Sequence, residues 1–274
     1  MSPLWRDQVR IALSPDRVVL VRVSRGLHPA ITTKHMVSCA PSAEAPAWRA
    51  PLAALAEALR EPAWQRADAV VVLSNHFVRY VLVPWDEKLS SEAEQAAFAR
   101  YHFVRVYGEA AEGWAVRQSG TAADAAQVAS AVDQELLDAL RETLKPAGLR
   151  LISIQPYLMH AYNRWQSLLH VGARWFAVGE PGRLCLALLE PTRWLALSSY
   201  RIEGDWPQAL VQRLDRERHR VEAAEIPNEV YLYAPELAET GLDAGAWSVK
   251  PLKPLPSAGF SPACDLAYAM ALPE

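Results

Sequence analysis

The stretch Arg174-Trp175-Phe176-Ala177-Val178, its turn Gly179-Glu180-Pro181-Gly182, the apolar run Leu184 to Leu189, a Pro191-Thr192 break and the segment Trp194 to Ile202 read as a three-stranded β-meander. The same design stands at the N-terminus. There Val9-Arg10-Ile11-Ala12-Leu13, a Ser14-Pro15-Asp16 turn, Val18 to Val23, a Gly26-Leu27-His28-Pro29 turn and Ile31 to Val37 follow one another in the same order. Two β-β-β openings about 165 residues apart imply a duplicated architecture, one copy per lobe.

Each meander leads into a helix. After the first, Pro51 suits a helix start and Leu52, Leu55, Ala56 and Leu59 share one face. After the second, Trp206-Pro207 opens a helix with Leu210, Val211, Leu214 and Val221 inward and a mixed-sign charged face from Arg213 to Glu225, the pattern of a solvated surface. Between the meanders lies an α+β block. Ala69 to Leu73 and Val78 to Val83, separated by Ser74-Asn75-His76, read as a hairpin, and Ser91-Glu92-Ala93-Glu94 is a capping box opening a helix through Phe98 and Tyr101. Strands follow at Trp114 to Gln118 and Gln127 to Val132. Then come a helix from Asp133 that buries Leu136, Leu137, Leu140 and Leu144, a strand Leu149 to Ile154 and a helix Tyr157 to Leu169.

Composition excludes several function classes. The 274 residues are 51% apolar, with a formal charge of −3, so the chain buries an ample core and lacks the basic footprint of a general nucleic-acid binder. Cys39, Cys185 and Cys264 form no CxxC pair, which removes a disulfide scaffold and a zinc knuckle. No apolar run comes near the roughly 20 residues of a membrane helix. The 12 glycines are never adjacent, and none of the five lysines follows one, so no P-loop is present. GxGxxG, GxSxG and HExxH are absent as well.

Three segments carry a resemblance to a known family: Val70 to Ser74 with Arg79-Tyr80-Val81-Leu82-Val83-Pro84-Trp85 and Ser90 to Glu94; Gln127 to Val132 with Leu136-Leu137; and Ala147 to Ile154 ahead of the helix from Tyr157. In this order they are similar to the PilM family of type IV pilus assembly and to the cytoplasmic region of the GspL proteins of type II secretion. The resemblance implies an α/β, bilobal actin-like fold, a duplicated ribonuclease H-like architecture shared with hexokinase and Hsp70. It places a first lobe at residues 1–165, with an inserted α+β subdomain at about 66–146, and a second lobe at 166–274.

The departures from the family pattern are informative. Nucleotide-binding members read hydrophobic-Asp-hydrophobic-Gly in the first hairpin, and this chain reads Ile11-Ala12-Leu13-Ser14. In the second hairpin Phe176-Ala177-Val178-Gly179 again puts alanine in the carboxylate's place, with Asp16 and Glu180 at turn tips. The adenosine segment, glycine-rich in such proteins, is here Val230 to Tyr233 followed by Ala234-Pro235-Glu236. Without carboxylates to organise Mg²⁺ and glycines to admit phosphate, Mg-nucleotide binding should fail. Ala12, Ser14 and Ala177 therefore mark a degenerate site, and no catalytic residue, cofactor or metal is expected.

The resemblance implies a cytoplasmic scaffold, peripheral to the inner membrane. It would bind the cytoplasmic tail of a bitopic pilus or secretion protein and couple it to the assembly ATPase; the chain would be full length or a fragment preceding a membrane helix. Arg79, Trp85, Phe98 and Tyr101 are the candidate partner-binding residues. Trp48, Trp85 and Trp247 are the tryptophans expected to be partly exposed, Ser74-Asn75-His76 is expected to be turn chemistry, and Tyr101-His102 and Tyr157 to His160 ordinary helix positions. Residues 249–262 should wrap the surface, ahead of a short helix at Cys264 to Leu272. The alternative is a nucleotide-binding actin-like ATPase or kinase with an atypical phosphate site.

Overall fold

The computed structural model describes residues 6–26, 28–40, 46–89, 91–119, 124–170, 172–191, 193–221, 226–237 and 244–273. Expectations at Leu27, Ser90, Thr192 and the charged run 222–225 lie outside them. In chain order the elements are β1 (Gln8–Ser14), β2 (Arg17–Ser24), β3 (Ala30–Ser38), α1 (Arg49–Ala58), β4 (Asp68–Leu73), β5 (Val78–Val83), α2 (Glu92–Tyr107), β6 (Trp114–Gln118), β7 (Gln127–Asp133), α3 (Gln134–Leu144), β8 (Arg150–Pro156) and α4 (Tyr157–Leu169). They continue with β9 (Arg174–Glu180), β10 (Arg183–Glu190), β11 (Arg193–Arg201), α5 (Trp206–Arg220), β12 (Glu229–Tyr233) and β13 (Ser248–Pro251), and a 3-10 helix spans Leu266–Ala271.

The chain divides into two compact units. The first comprises Met1–Val78, Asp133–His160 and Pro254–Glu274. Its sheet runs β3-β2-β1-β4-β8, an antiparallel meander extended by two parallel strands. β1 is buried along its whole length, as the central strand of a sheet covered on both faces must be; α1 and the 3-10 helix both pack against it. This burial takes in a charge. Arg10 Nε donates to the Ala271 carbonyl at 2.8 Å and its Nη1 to Gln8 Oε1 at 3.1 Å, which offsets part of the cost of burying the guanidinium. Asp68, also buried, takes two hydrogen bonds from Arg150, its register partner on β8, and so fixes the pairing of two parallel strands.

The second unit comprises Arg79–Val132 and Ala161–Lys253. Its main sheet repeats the first in order and sense: β11-β10-β9-β12-β13, a meander followed by two parallel strands. Trp175, Ala177, Leu184, Leu186, Leu210 and Leu214 form its core beneath α5. A separate three-stranded sheet, β5-β7-β6, packs Val83, Ala129 and Ala131 against Ala99 and Phe103 of α2.

Several expectations need correction. Ala69 to Leu73 and Val78 to Val83 form no hairpin, because β4 pairs with β1 and β8 whereas β5 joins β7 in the small sheet. Residues 254–274, expected in the second lobe, belong to the first unit, where the 3-10 helix rests on β1, β2 and β4. The inserted subdomain begins at β5 rather than near residue 66, for β4 and α3 belong to the first unit. Trp48 and Trp247 are buried, their indole N–H groups donating to Asp133 and Asp215, and of the three expected tryptophans only Trp85 is exposed.

Candidate functional site

The two turns singled out by the sequence occupy equivalent places, the ends of β1 and β9. Ala12 is buried within β1, and Ser14 closes the strand with its hydroxyl 3.8 Å from the sulfur of Met270. The C-terminal 3-10 helix thus delivers a thioether to the end of the first hairpin strand.

At the end of β9 the filling is local. Ala177 is fully buried in the sheet core. Gly179 has ordinary backbone geometry, and its lack of a side chain serves packing: a Cβ there would stand 3.0 Å from the Ala234 Cβ and 3.1 Å from both Leu237 Cδ1 and Trp206 Cη2. Ala234 and Leu237 come from the exit of β12, where a glycine-rich segment would lie in a nucleotide-binding relative, and Trp206 starts α5. Glu180, expected at the turn tip, is instead the last residue of β9 and is buried, paired in register with Arg183 across the Pro181-Gly182 turn.

The four candidate partner residues lie in the second unit. Ser91 caps α2 in a closed capping box: its hydroxyl accepts from Glu94 N at 3.2 Å, and the Glu94 carboxylate accepts from Ser91 N at 3.0 Å. The helix so fixed exposes Tyr101 to 57% and half-buries Phe98. His102 joins them, edge-on to Phe98 at 4.6 Å and to Tyr101 at 5.8 Å. Burial, aided by Arg105, holds the His102 imidazole below its ordinary pKa, so it is neutral near pH 7. Trp85, 43% exposed beyond the end of β5, makes no ring contact with this cluster among the described residues. Arg79, on β5, lies within electrostatic range of Tyr107 and of Arg183. The structure therefore joins Phe98 and Tyr101 through His102, and places Arg79 and Trp85 on a neighbouring strand and its exit.

The remaining polar candidates have structural roles. Ser74 Oγ accepts from His76 N at 3.1 Å, an ST-turn, and buried Asn75 Oδ1 accepts from Leu158 N at 3.1 Å, a cap on the first turn of α4. His160 is buried with its Nδ1 3.1 Å from Gln155 Oε1. Among the described residues no group of three His, Cys, Asp or Glu side chains could hold a metal, and no helix is long and apolar enough to cross a membrane.

One concavity escaped the sequence reading. A cavity of about 460 Å³ opens between Leu195 to Ser198 of β11 and Glu217, Arg220 and Val221 at the end of α5. Its polar wall is organised around buried Glu217, which accepts from the Tyr200 hydroxyl and from Arg220 Nη1. Burial first, then the Glu217 carboxylate, pushes the Tyr200 hydroxyl above its ordinary pKa, so it stays a donor. The only sequence signal was Tyr200 and Glu217 on consecutive elements, which without pairing partners is not specific.

No protein-family model matches the chain, and no curated protein matches it in sequence. Solved structures do. A structure titled PilM-PilN type IV pilus biogenesis complex matches with a TM-score of 0.67 at 18% identity, covering 96% of this chain and 93% of that one. The cytoplasmic domain of EpsL, an inner-membrane component of the Vibrio cholerae type II secretion system, matches at 0.56 and 14% identity, over 90% of each chain. A Bacteroides thetaiotaomicron protein with an actin-like ATPase fold matches at 0.59 and 12% identity, over 89% of this chain and 88% of that one. The chain has the actin-like fold of these proteins, as the resemblance implied.

Proposed function

We propose that this protein is a non-catalytic scaffold of a type IV pilus or type II secretion assembly platform, holding a bitopic inner-membrane partner at the cytoplasmic face and coupling it to the assembly ATPase. One observation carries the reading. At both strand ends where an actin-like nucleotide site needs a carboxylate and an open glycine, the chain has alanine two residues before a position that its own side chains pack, Met270 at Ser14 and Trp206, Ala234 and Leu237 at Gly179. An Mg-nucleotide would have to displace packed, wholly or partly buried apolar groups and would find no carboxylate at Ala12 or Ala177 to organise its metal.

A scaffold works through surfaces, and the inserted subdomain supplies one. Large aromatics half out of water on a rigid helix and strand end are the usual anchors of protein interfaces. Trp85 and Tyr101 have that exposure, and the His102 cluster holds Tyr101 in place. The near full-length likeness to a PilM-PilN complex and to a domain of an inner-membrane secretion component agrees with this reading.

Capture of the membrane partner from a detergent extract of the native bacterium tests it. Trp85→Ala or Arg79→Glu should each weaken binding by at least about 1 kcal/mol, roughly fivefold, with an unchanged melting transition. Full binding by both variants would remove this surface.

A further inference from the structure

β11 is an edge strand. Among the described residues it pairs only with β10, so one row of its backbone groups has no strand partner. The direction of that row follows from a single bond. Ile202 N donates to the Gly182 carbonyl at 3.0 Å, just past the Arg183–Arg201 pair, so Ile202 faces β10. Backbone direction alternates along an antiparallel strand, so Tyr200 and Ser198 face β10 too, and Leu197 and Ser199 turn their N–H and C=O groups to the open side. These outward groups lie beside the cavity between β11 and α5. Exposed edges invite strand addition, and natural sheets usually blunt them with proline, inward-pointing charge or a covering element. Leu195 to Ser198 carry neither proline nor charge.

The rim defines what fits. β11 and α5 together carry six arginines against Asp215 and Glu217, in a chain whose formal charge is −3. Arg193, Arg201 and Arg220 are ion-paired with Glu190, Glu203 and Glu217. Arg213 and Arg216 have no ion pair among the described residues; Arg213 lies over the Tyr200 ring at 4.7 Å, and Arg216 is exposed. At spacings i, i+3 and i+7, Arg213, Arg216 and Arg220 form a basic row along the side of α5 that carries Glu217.

We infer that the open edge of β11, with the groove against α5, is a docking site for an extended, acidic segment of a partner protein that adds as a sixth strand to the second sheet. The backbone of Leu197 and Ser199 supplies the ladder; every second side chain of the added strand faces the groove and the arginine row of α5, where the acidic ones belong, and the apolar ones between them face the opposite side of the sheet. This surface is separate from the candidate partner residues of the small sheet and stands or falls independently of them.

The test uses the full chain and a short fluorescein-labelled peptide of alternating valine and glutamate, read by anisotropy. Saturable binding is expected, weakened about tenfold by Arg216→Glu and abolished by Leu197→Pro, which removes an outward N–H that β10 does not use. Circular dichroism checks that both variants are folded, and Arg216→Glu, at an exposed position, keeps the test decisive if the proline variant is not. No saturable binding, equal binding of a valine–lysine peptide, or indifference to Arg216→Glu would overturn the assignment. Concentration-dependent dimerisation that competes with the peptide would overturn it too, by making a second copy the occupant.

Discussion

The two five-stranded sheets share one topology and close their first hairpins by different means. In the first, the end of β1 is packed by Met270, which lies 256 positions away in sequence. In the second, the end of β9 is packed by Trp206, Ala234 and Leu237 from the next helix and the next strand's exit. A repeated fold thus preserves strand order while leaving each copy to find its own filling, one from the chain terminus and one from its neighbours. The filling of the first sheet depends on a strap that has no counterpart on the second among the described residues: Ile31 N donates to Ala258 O at 2.8 Å, Lys34 pairs with Asp265 at 2.7 Å, and Arg10 holds the Ala271 carbonyl.

The strap is the place to break the comparison hardest. Gly259 has φ +83°, and a Cβ there would fall 2.0 Å from the Ile31 carbonyl oxygen, a backbone atom that cannot step aside. Gly259→Ala should cost about 3 kcal/mol or more, combining left-handed strain with displacement of the strap. Hydrogen exchange should show the loss in β1 to β3, with β9 to β12 protected; uniform loss in both sheets would make the strap a global element.

Gly179→Ala probes the other filling, with a smaller effect. Its Cβ meets side chains at 3.0 to 3.1 Å, and overpacking of this kind costs about 1–3 kcal/mol. An unchanged melting temperature would mean that the end of β9 is open after all.

A still smaller effect should appear with pH in the inserted subdomain. The folded His102 has its pKa below the unfolded value of 6.5, so its contribution is complete above that value. It is lost as pH falls, because the unfolded chain binds the proton first. The urea midpoint of the wild type should fall between pH 7.5 and 5.5, and His102→Phe should remove part of that slope. An identical slope in both would place the acid sensitivity elsewhere.

Much of this was legible from local pattern. The meanders at Val9 and Arg174, the Ser91/Glu94 capping box and the helix Tyr157–Leu169 rest on alternation, capping chemistry and periodicity, all written within a few residues. Pairing between distant segments was not legible. Ala69 to Leu73 and Val78 to Val83 look like a hairpin because both are apolar runs with a turn between them, yet Asp68 finds Arg150 and the two strands enter different sheets. The sequence reading of the two turns rested on Ala12 and Ala177, whereas what packs the ends of β1 and β9 depends on contacts with Met270 and Trp206 that no spacing encodes. The groove beside β11 was hidden for the same reason, since an edge exists only once the neighbours of a strand are known.

Calorimetric titration with Mg-ATP tests the central claim most directly, that both hairpin ends are packed by the chain itself. The account predicts no saturable heat, and no rise in melting temperature at millimolar nucleotide, where even a 10 µM site would add about 2.7 kcal/mol at a hundredfold excess. Stoichiometric binding, above all binding weakened by Gly179→Ala, would contradict it and restore a working phosphate site at the end of β9.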